Sequence, residues 1–357
     1  MARRPNPRQS FNQADARALL AAFARLDRRA QLVLVLVIGV VAAVAAASYF
    51  WSTRPRPGPQ ASGPSATWPQ PAPKTGPASG PRGPTPPATG AADHLLLGNP
   101  SAATPDPANR NNYLLAKPYF ALSYNDTNGT PNWVSWRLTA ADLGSAPRRP
   151  QFVPDSELPA GFKRVTHQDY TGSGFDRGHL CPHGDRAVDV QTSFATFVMT
   201  NIIPQAASVN QKAWNNLEEY ARDLVKKQNR RLYVVAGGAG RGGTGLNGFA
   251  DTIGKGKVVV PALCWKVIVA VPETGGTDDP AAVGPDARVI AVVMPNDNSA
   301  VGDEWARFRV APAEIERRTG YRLFDRLAPA TADALRARVD DVPVPPPEPK
   351  QRWREKE

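Results

Sequence analysis

The chain has 357 residues, enough for one large domain or two ordinary ones, and its 41% apolar fraction is compatible with a packed globule, although 37 prolines and 29 glycines crowd into stretches that are not expected to fold. The net charge is +11, yet residues 1–93 carry 11 Lys and Arg against 3 Asp and Glu, leaving 32 against 29 beyond, so a nucleic-acid reading must rest on a site and not on bulk charge. Two cysteines, Cys181 and Cys264, exclude a disulfide framework and a zinc ribbon or finger built from cysteines; whether they pair stays open, and a small buried thiol is the reading preferred for Cys181.

Residues 1–31 form a polar, Arg-rich leader with an amphipathic run from Ala14 to Arg29. Leu32 to Phe50 follows, nineteen residues without a charge. At about 1.5 Å per residue, such a helix spans a bilayer core of roughly 30 Å. Tyr49, Phe50 and Trp51 supply an aromatic belt, and Arg25, Arg28 and Arg29 flank the other side. Residues 32–51 are therefore expected to be a transmembrane anchor with the N-terminus in the cytoplasm and the remainder on the extracytoplasmic side. A cleaved signal peptide ending near Ala45-Ala46-Ala47 is the rival reading, and both export the rest of the chain. Residues 52–93 are a Pro- and Gly-rich spacer with almost nothing to bury.

Foldable sequence runs from His94 to about residue 340. Phe120–Asn125 and Asn132–Leu138 read as strands joined by the turn residues DTNGTP. Ser193–Pro204 reads as a further strand, Ser208 to about Gln228 as a helix, and Arg231–Gly237, Val258–Val271 and Val289–Asn296 as strands. Thr331–Val339 suggests a last helix, and residues 341–357 a polar tail. Strands outnumber helices and the two are mixed, which predicts an α+β domain and not a regular βαβ array.

Two stretches carry chemistry. The first, GSGFDRGHLCPHGDR from Gly172 to Arg186, sets Asp176, Arg177 and His179 among glycines. Glycine lets backbone approach a ligand closely, Arg grips phosphate oxygens, and a neutral imidazole accepts a proton. By itself it reads either as a polar loop or as an anionic-ligand site. In the second, Ser208-x-x-Gln211 resembles a capping box that would start a helix with Asn210 in its first turn. At about 100° per residue, Asn210, Glu218 and Arg222 share one stripe beside an apolar face of Ala213, Leu217, Ala221 and Leu224. The plainer reading is a solvated face with a Glu218–Arg222 pair.

Taken together and in this order, DRGH, TN-x-x-PQ and N-Q-x-x-W-x-x-L-E-x-x-x-R resemble the DNA/RNA non-specific endonuclease family that includes mitochondrial endonuclease G. GHLCP and Leu97–Ser101 look like its bacterial branch. The resemblance covers roughly residues 94–328. It implies an α+β fold with a central, mainly antiparallel sheet and a ββα-metal finger, and hydrolysis of phosphodiester bonds in DNA and RNA. It further implies His179 as general base, Asn210 as the protein ligand of one Mg²⁺ (Mn²⁺ substituting), Glu218 holding a metal-bound water, and Arg177 and Arg222 neutralising phosphate. Asp176 and Asn201 are read as structural. An unperturbed imidazole, titrating near 6.5, would suit such a base. The implied partners are DNA and RNA, with a membrane held through Leu32–Phe50; a homodimer stays open. The reading from another class is a catalytically silent, membrane-tethered nucleic-acid-binding protein.

Other signals are set aside. Gly238–Gly243 matches GxGxxG but precedes no helical sequence, and Gly254–Lys257 lacks the GK[ST] of a P-loop. His179 and His183 have a zinc-pair spacing, but Pro182 lies between them and no third ligand is close in sequence.

Overall fold

The computed structural model describes residues 94–149, 151–274, 279–298 and 304–345. The expected leader, anchor and spacer lie outside the described residues. Among the described residues no helix is long and apolar enough to cross a membrane.

A six-stranded sheet forms the centre. Its spatial order is β1 (Tyr113–Ala116), β2 (Ala121–Asn125), β3 (Thr130–Leu138), β6 (Arg230–Ala239), β11 (Leu263–Pro272) and β12 (Arg288–Pro295), every neighbouring pair antiparallel. Successive side chains on a strand face opposite ways. Trp136, Val234, Cys264 and Ile268 therefore pack on one face, and Trp133, Val235, Trp265 and Val267 on the other. Helix α2 (Asn215–Gln228) covers the first face through Leu217, Ala221, Leu224 and Val225. Helices α3 (Pro312–Thr319) and α4 (Pro329–Ala337) cover the second through Ile315, Ala332 and Leu335. With both faces covered, β11 reads as a nearly continuous apolar run, and its one charged residue, Lys266, falls on the α2 side.

Two shorter strands, β4 (Asp176–His179) and β5 (Ile202–Gln205), make an antiparallel ribbon in which Asp176 pairs with Gln205 and His179 with Ile202. The ribbon leads straight into the helical run ending in α2, so the two motif stretches do form a ββα unit. The remaining strands are small: β7 (Gly243–Gly245) with β8 (Gly248–Ala250), and β9 (Thr252–Ile253) with β10 (Val258–Val259). Gly238–Gly243 thus leads from β6 into a hairpin and not into a helix.

Three local expectations are corrected. Ser193–Pro204 is not one strand: Asp189 caps a short helix α1 (Val190–Ala195), accepting from the Thr192 N–H at 2.8 Å, and extended backbone begins only at Ile202. Val258–Val271 is two strands, interrupted around Pro261, which has no N–H to give a ladder. The Ser208 capping box does not form. Ser208 is itself helical and its hydroxyl donates to the Asp297 carbonyl, while the Ala206 and Ser208 N–H groups donate to the side-chain oxygens of Asn296 and Asn298 at 2.7 and 2.9 Å. The helix N-terminus is buried against a distant loop, so acceptors from that loop replace the local ones.

Candidate active site

The ribbon and helix meet at a cavity of about 410 Å³ whose walls include Arg148, Arg177, His179, His183, Asn210, Gln211, Glu218 and Arg222. All five site residues expected from sequence are therefore brought to one place. On β4, Arg177 and His179 are two apart and share a side of the strand. Gly174, with φ +83, has no room for a side chain, because a Cβ there would lie 2.7 Å from the Asn247 nitrogen. Gly184 gives close approach to Arg222, whose Nη1 would be 2.9 Å from any Cβ.

His179 is buried, its ring 5.1 Å from that of Phe152 and edge-on to Phe197 at 4.8 Å. Its carbonyl accepts from Trp214 Nε1 at 3.3 Å, and its Nε2 is buried without a hydrogen-bond partner. The expectation of an unperturbed imidazole is corrected. Burial, reinforced by the charge of Arg148 and by His183, lowers its pKa from 6.5 to about 3. His179 is thus neutral over the whole range in which an ordinary histidine would titrate.

His183 is held differently. Its Nδ1 lies 2.8 Å from Ser193 Oγ, and that hydroxyl spends its one proton on the Pro147 carbonyl at 2.9 Å. The imidazole must therefore be the donor. The chain of bonds fixes the peptide just before Arg148, whose guanidinium lies 5.4 Å from the centroid of the Phe197 ring. Among the described residues no three His, Cys, Asp or Glu side chains converge as a metal group.

Asp176 is the hinge between the two motifs. Its Oδ2 accepts from Asn210 Nδ2 and from Gln211 Nε2, each at 2.9 Å. A carboxylate can only accept, so the Asn210 amide is oriented nitrogen-inward and its oxygen is left for the cavity. The helical run Val209–Trp214 is a π turn, a widening of the helix often found at functional sites. Asn201 is structural: buried, it bonds the Cys181 N–H and the Cys181 and Thr196 carbonyls. Cys181 and Cys264 are free and buried, with thiols pushed up by burial, that of Cys264 to about 12.

The Glu218–Arg222 pair read from helix spacing is absent. Arg222 instead bonds Asp185 Oδ1 at 3.0 Å, and Asp185 Oδ2 accepts from Trp136 Nε1 at 3.0 Å. Glu218 bonds Lys266 Nζ at 3.0 Å. Burial raises the Glu218 pKa, and Lys266 and Arg222 oppose that rise. Arg177 donates to the His167 carbonyl at 2.8 Å and to the Thr171 hydroxyl at 2.9 Å, which steadies its guanidinium at the rim. Sequence reasoning missed Arg148, Asp185 and Lys266. A lysine inside the apolar run VVVPALCWKVIVAV was a visible signal, whereas nothing in the sequence marks Arg148.

A sequence model of the DNA/RNA non-specific endonuclease family matches residues 97–330. The chain belongs to that family. A nuclease from Nostoc sp. is 43% identical over 248 residues, which cover 70% of this chain and 86% of the relative. The mitochondrial nuclease EXOG of Xenopus laevis is 32% identical over 213 residues; the match spans 58% of this chain and 57% of that relative. Among solved structures, EndoG in the EndoG/EndoGI complex superposes with a TM-score of 0.54 at 26% identity, over 66% of this chain and 92% of that one. This member of the family is thus a nuclease, a hydrolase acting on nucleic acids, on an α+β scaffold.

Proposed function

We propose that the domain is a Mg²⁺-dependent endonuclease cleaving DNA and RNA, with His179 as general base. The observation that carries this is the convergence on one cavity of a neutral, buried imidazole with an unpartnered nitrogen, three arginines, and an amide whose oxygen is left to the cavity. The donor set fits a hard divalent cation, which prefers oxygen ligands and keeps much of its water. Asn210 would hold the ion through its side-chain oxygen, and Glu218 would hold a water of its shell. Bound there, Mg²⁺ supplies charge stabilisation for the leaving 3′ oxygen.

The chain's own groups do the rest. Arg177 and Arg222 bind the phosphate, Arg148 adds a third positive charge at the same cavity, and the guanidinium forks match phosphate oxygens. His179 accepts the proton of the attacking water at its imidazole. Asp176 sets the direction of Asn210, and Asp185 that of Arg222. Contacts of this kind engage the backbone and not base edges, so sequence preference should be weak. Leu32–Phe50 would hold the nuclease domain at the extracytoplasmic face of a membrane. The test is plasmid nicking and RNA cleavage by residues 94–345 with and without EDTA. Cleavage of both, abolished by EDTA and restored by Mg²⁺, is expected; EDTA-resistant cleavage, or none, contradicts the proposal.

A further inference from the structure

Lys266 lies in the middle of β11, on the face packed by α2, where the strand's other inward residues, Cys264, Ile268 and Ala270, are apolar. It is 2% exposed, and taking an ammonium out of water is costly unless it is paired. Three neighbours meet it. The Glu218 carboxylate is 3.0 Å from Nζ, the Trp214 ring centroid is 4.1 Å away, and that of Trp136 is 5.7 Å away. Each neighbour also reaches a group of the cavity. Glu218 lines it, Trp214 Nε1 donates to the His179 carbonyl, and Trp136 Nε1 donates to the carboxylate that holds Arg222.

We propose that Lys266 is a positioning residue of this active site, its ammonium fixing the Glu218 carboxylate at the cavity wall while bracing the two tryptophans that support His179 and Asp185. A well-packed apolar side chain would serve a purely structural role at this strand position without the desolvation penalty. The arrangement puts one buried cation beneath the proposed water-holder, the base and the phosphate clamp together. The inference rests on the proposed role of Glu218.

The test is a double-mutant cycle on the full chain, with wild type, Lys266→Met, Glu218→Gln and the double variant. Mg²⁺ binding is followed by calorimetry without nucleic acid, and kcat and KM on plasmid. Removing a partner that orients a metal's surroundings typically weakens metal affinity about 10- to 100-fold. That loss is expected in Lys266→Met, and it should vanish in the Glu218→Gln background because Lys266 acts through Glu218. An equal loss in both backgrounds, or none in Lys266→Met, overturns the proposal. Should Lys266→Met fail to fold, Lys266→Arg is carried through the same cycle, with a smaller loss and the same non-additivity expected. Wild-type Mg²⁺ affinity in Asn210→Ala would refute the metal assignment alone. The Lys266–Glu218 coupling is then read from the kcat cycle, where additivity overturns it.

Discussion

Lowering the pH acts on His179 twice, through activity and through folding, and the structure gives the size of both effects. An ordinary imidazole titrating at 6.5 would be about 97% protonated at pH 5, and a reaction needing it neutral would slow about 30-fold relative to pH 8. His179 is instead held at about 3 by burial between Phe152 and Phe197, with Arg148 and His183 adding to the effect. The acid limb of kcat/KM, which reports the free enzyme, should therefore show no step near 6.5 attributable to this residue. Stability, by contrast, does change with pH. The unfolded chain takes up a proton near 6.5 and the folded protein only near 3. Stability from neutral His179 is thus fully present above 6.5 and is lost as the pH falls toward 3. At about 1.4 kcal/mol per unit, the loss by pH 3 is on the order of 5 kcal/mol. The buried His94, lowered to about 4, adds in the same direction. The assay is plasmid cleavage at fixed ionic strength and saturating Mg²⁺ from pH 8 to 5, paired with Tm over the same range in wild type and His179→Ala. A rate step centred at 6.5 that disappears in the residual activity of His179→Ala would show that burial does not hold this imidazole neutral.

Other outcomes follow from the same geometry. Asn210→Ala should lose Mg²⁺ affinity and most activity while keeping a near-wild-type Tm, as calorimetry and thermal melting would show; full activity would remove this helix from the metal site. Asp185→Ala strands the mostly buried Arg222 and the Trp136 N–H, so about 3 kcal/mol of stability should be lost, a Tm fall of about 6–12 °C for a domain of this size; a smaller change would mean that water takes over both partners. Protease added to intact cells or spheroplasts should remove the nuclease domain if Leu32–Phe50 anchors it facing outward, and complete protection contradicts that topology.

The motif residues were legible in sequence because their types conflict with simple burial. Arg177 beside His179 among glycines suits an anionic site better than a core, and Asn210, Glu218 and Arg222 recur at helical spacing. The sheet was legible where apolar runs exceed what a surface strand needs, as in Leu263–Pro272. What stayed hidden is tertiary. Helix capping by Asn296 and Asn298 comes from some 90 residues away in sequence, and local pattern offered Ser208 and Gln211 instead. The partners of Glu218 and Arg222 are Lys266 and Asp185, which no periodicity connects to the helix. The low pKa of His179 could not be read either, because it follows from Phe152 and Phe197 closing over the ring.

Replacing His179 by alanine, beside His183→Ala, decides which histidine is the base. Positioned proton transfer is typically worth about 10² to 10⁴ in rate, so plasmid cleavage by His179→Ala should fall by at least about 100-fold with Mg²⁺ binding largely retained. His183→Ala, which loses a bond to Ser193 and no proposed proton transfer, should fall by less than about tenfold. A large loss in His183→Ala with a small one in His179→Ala would contradict the assignment of the base.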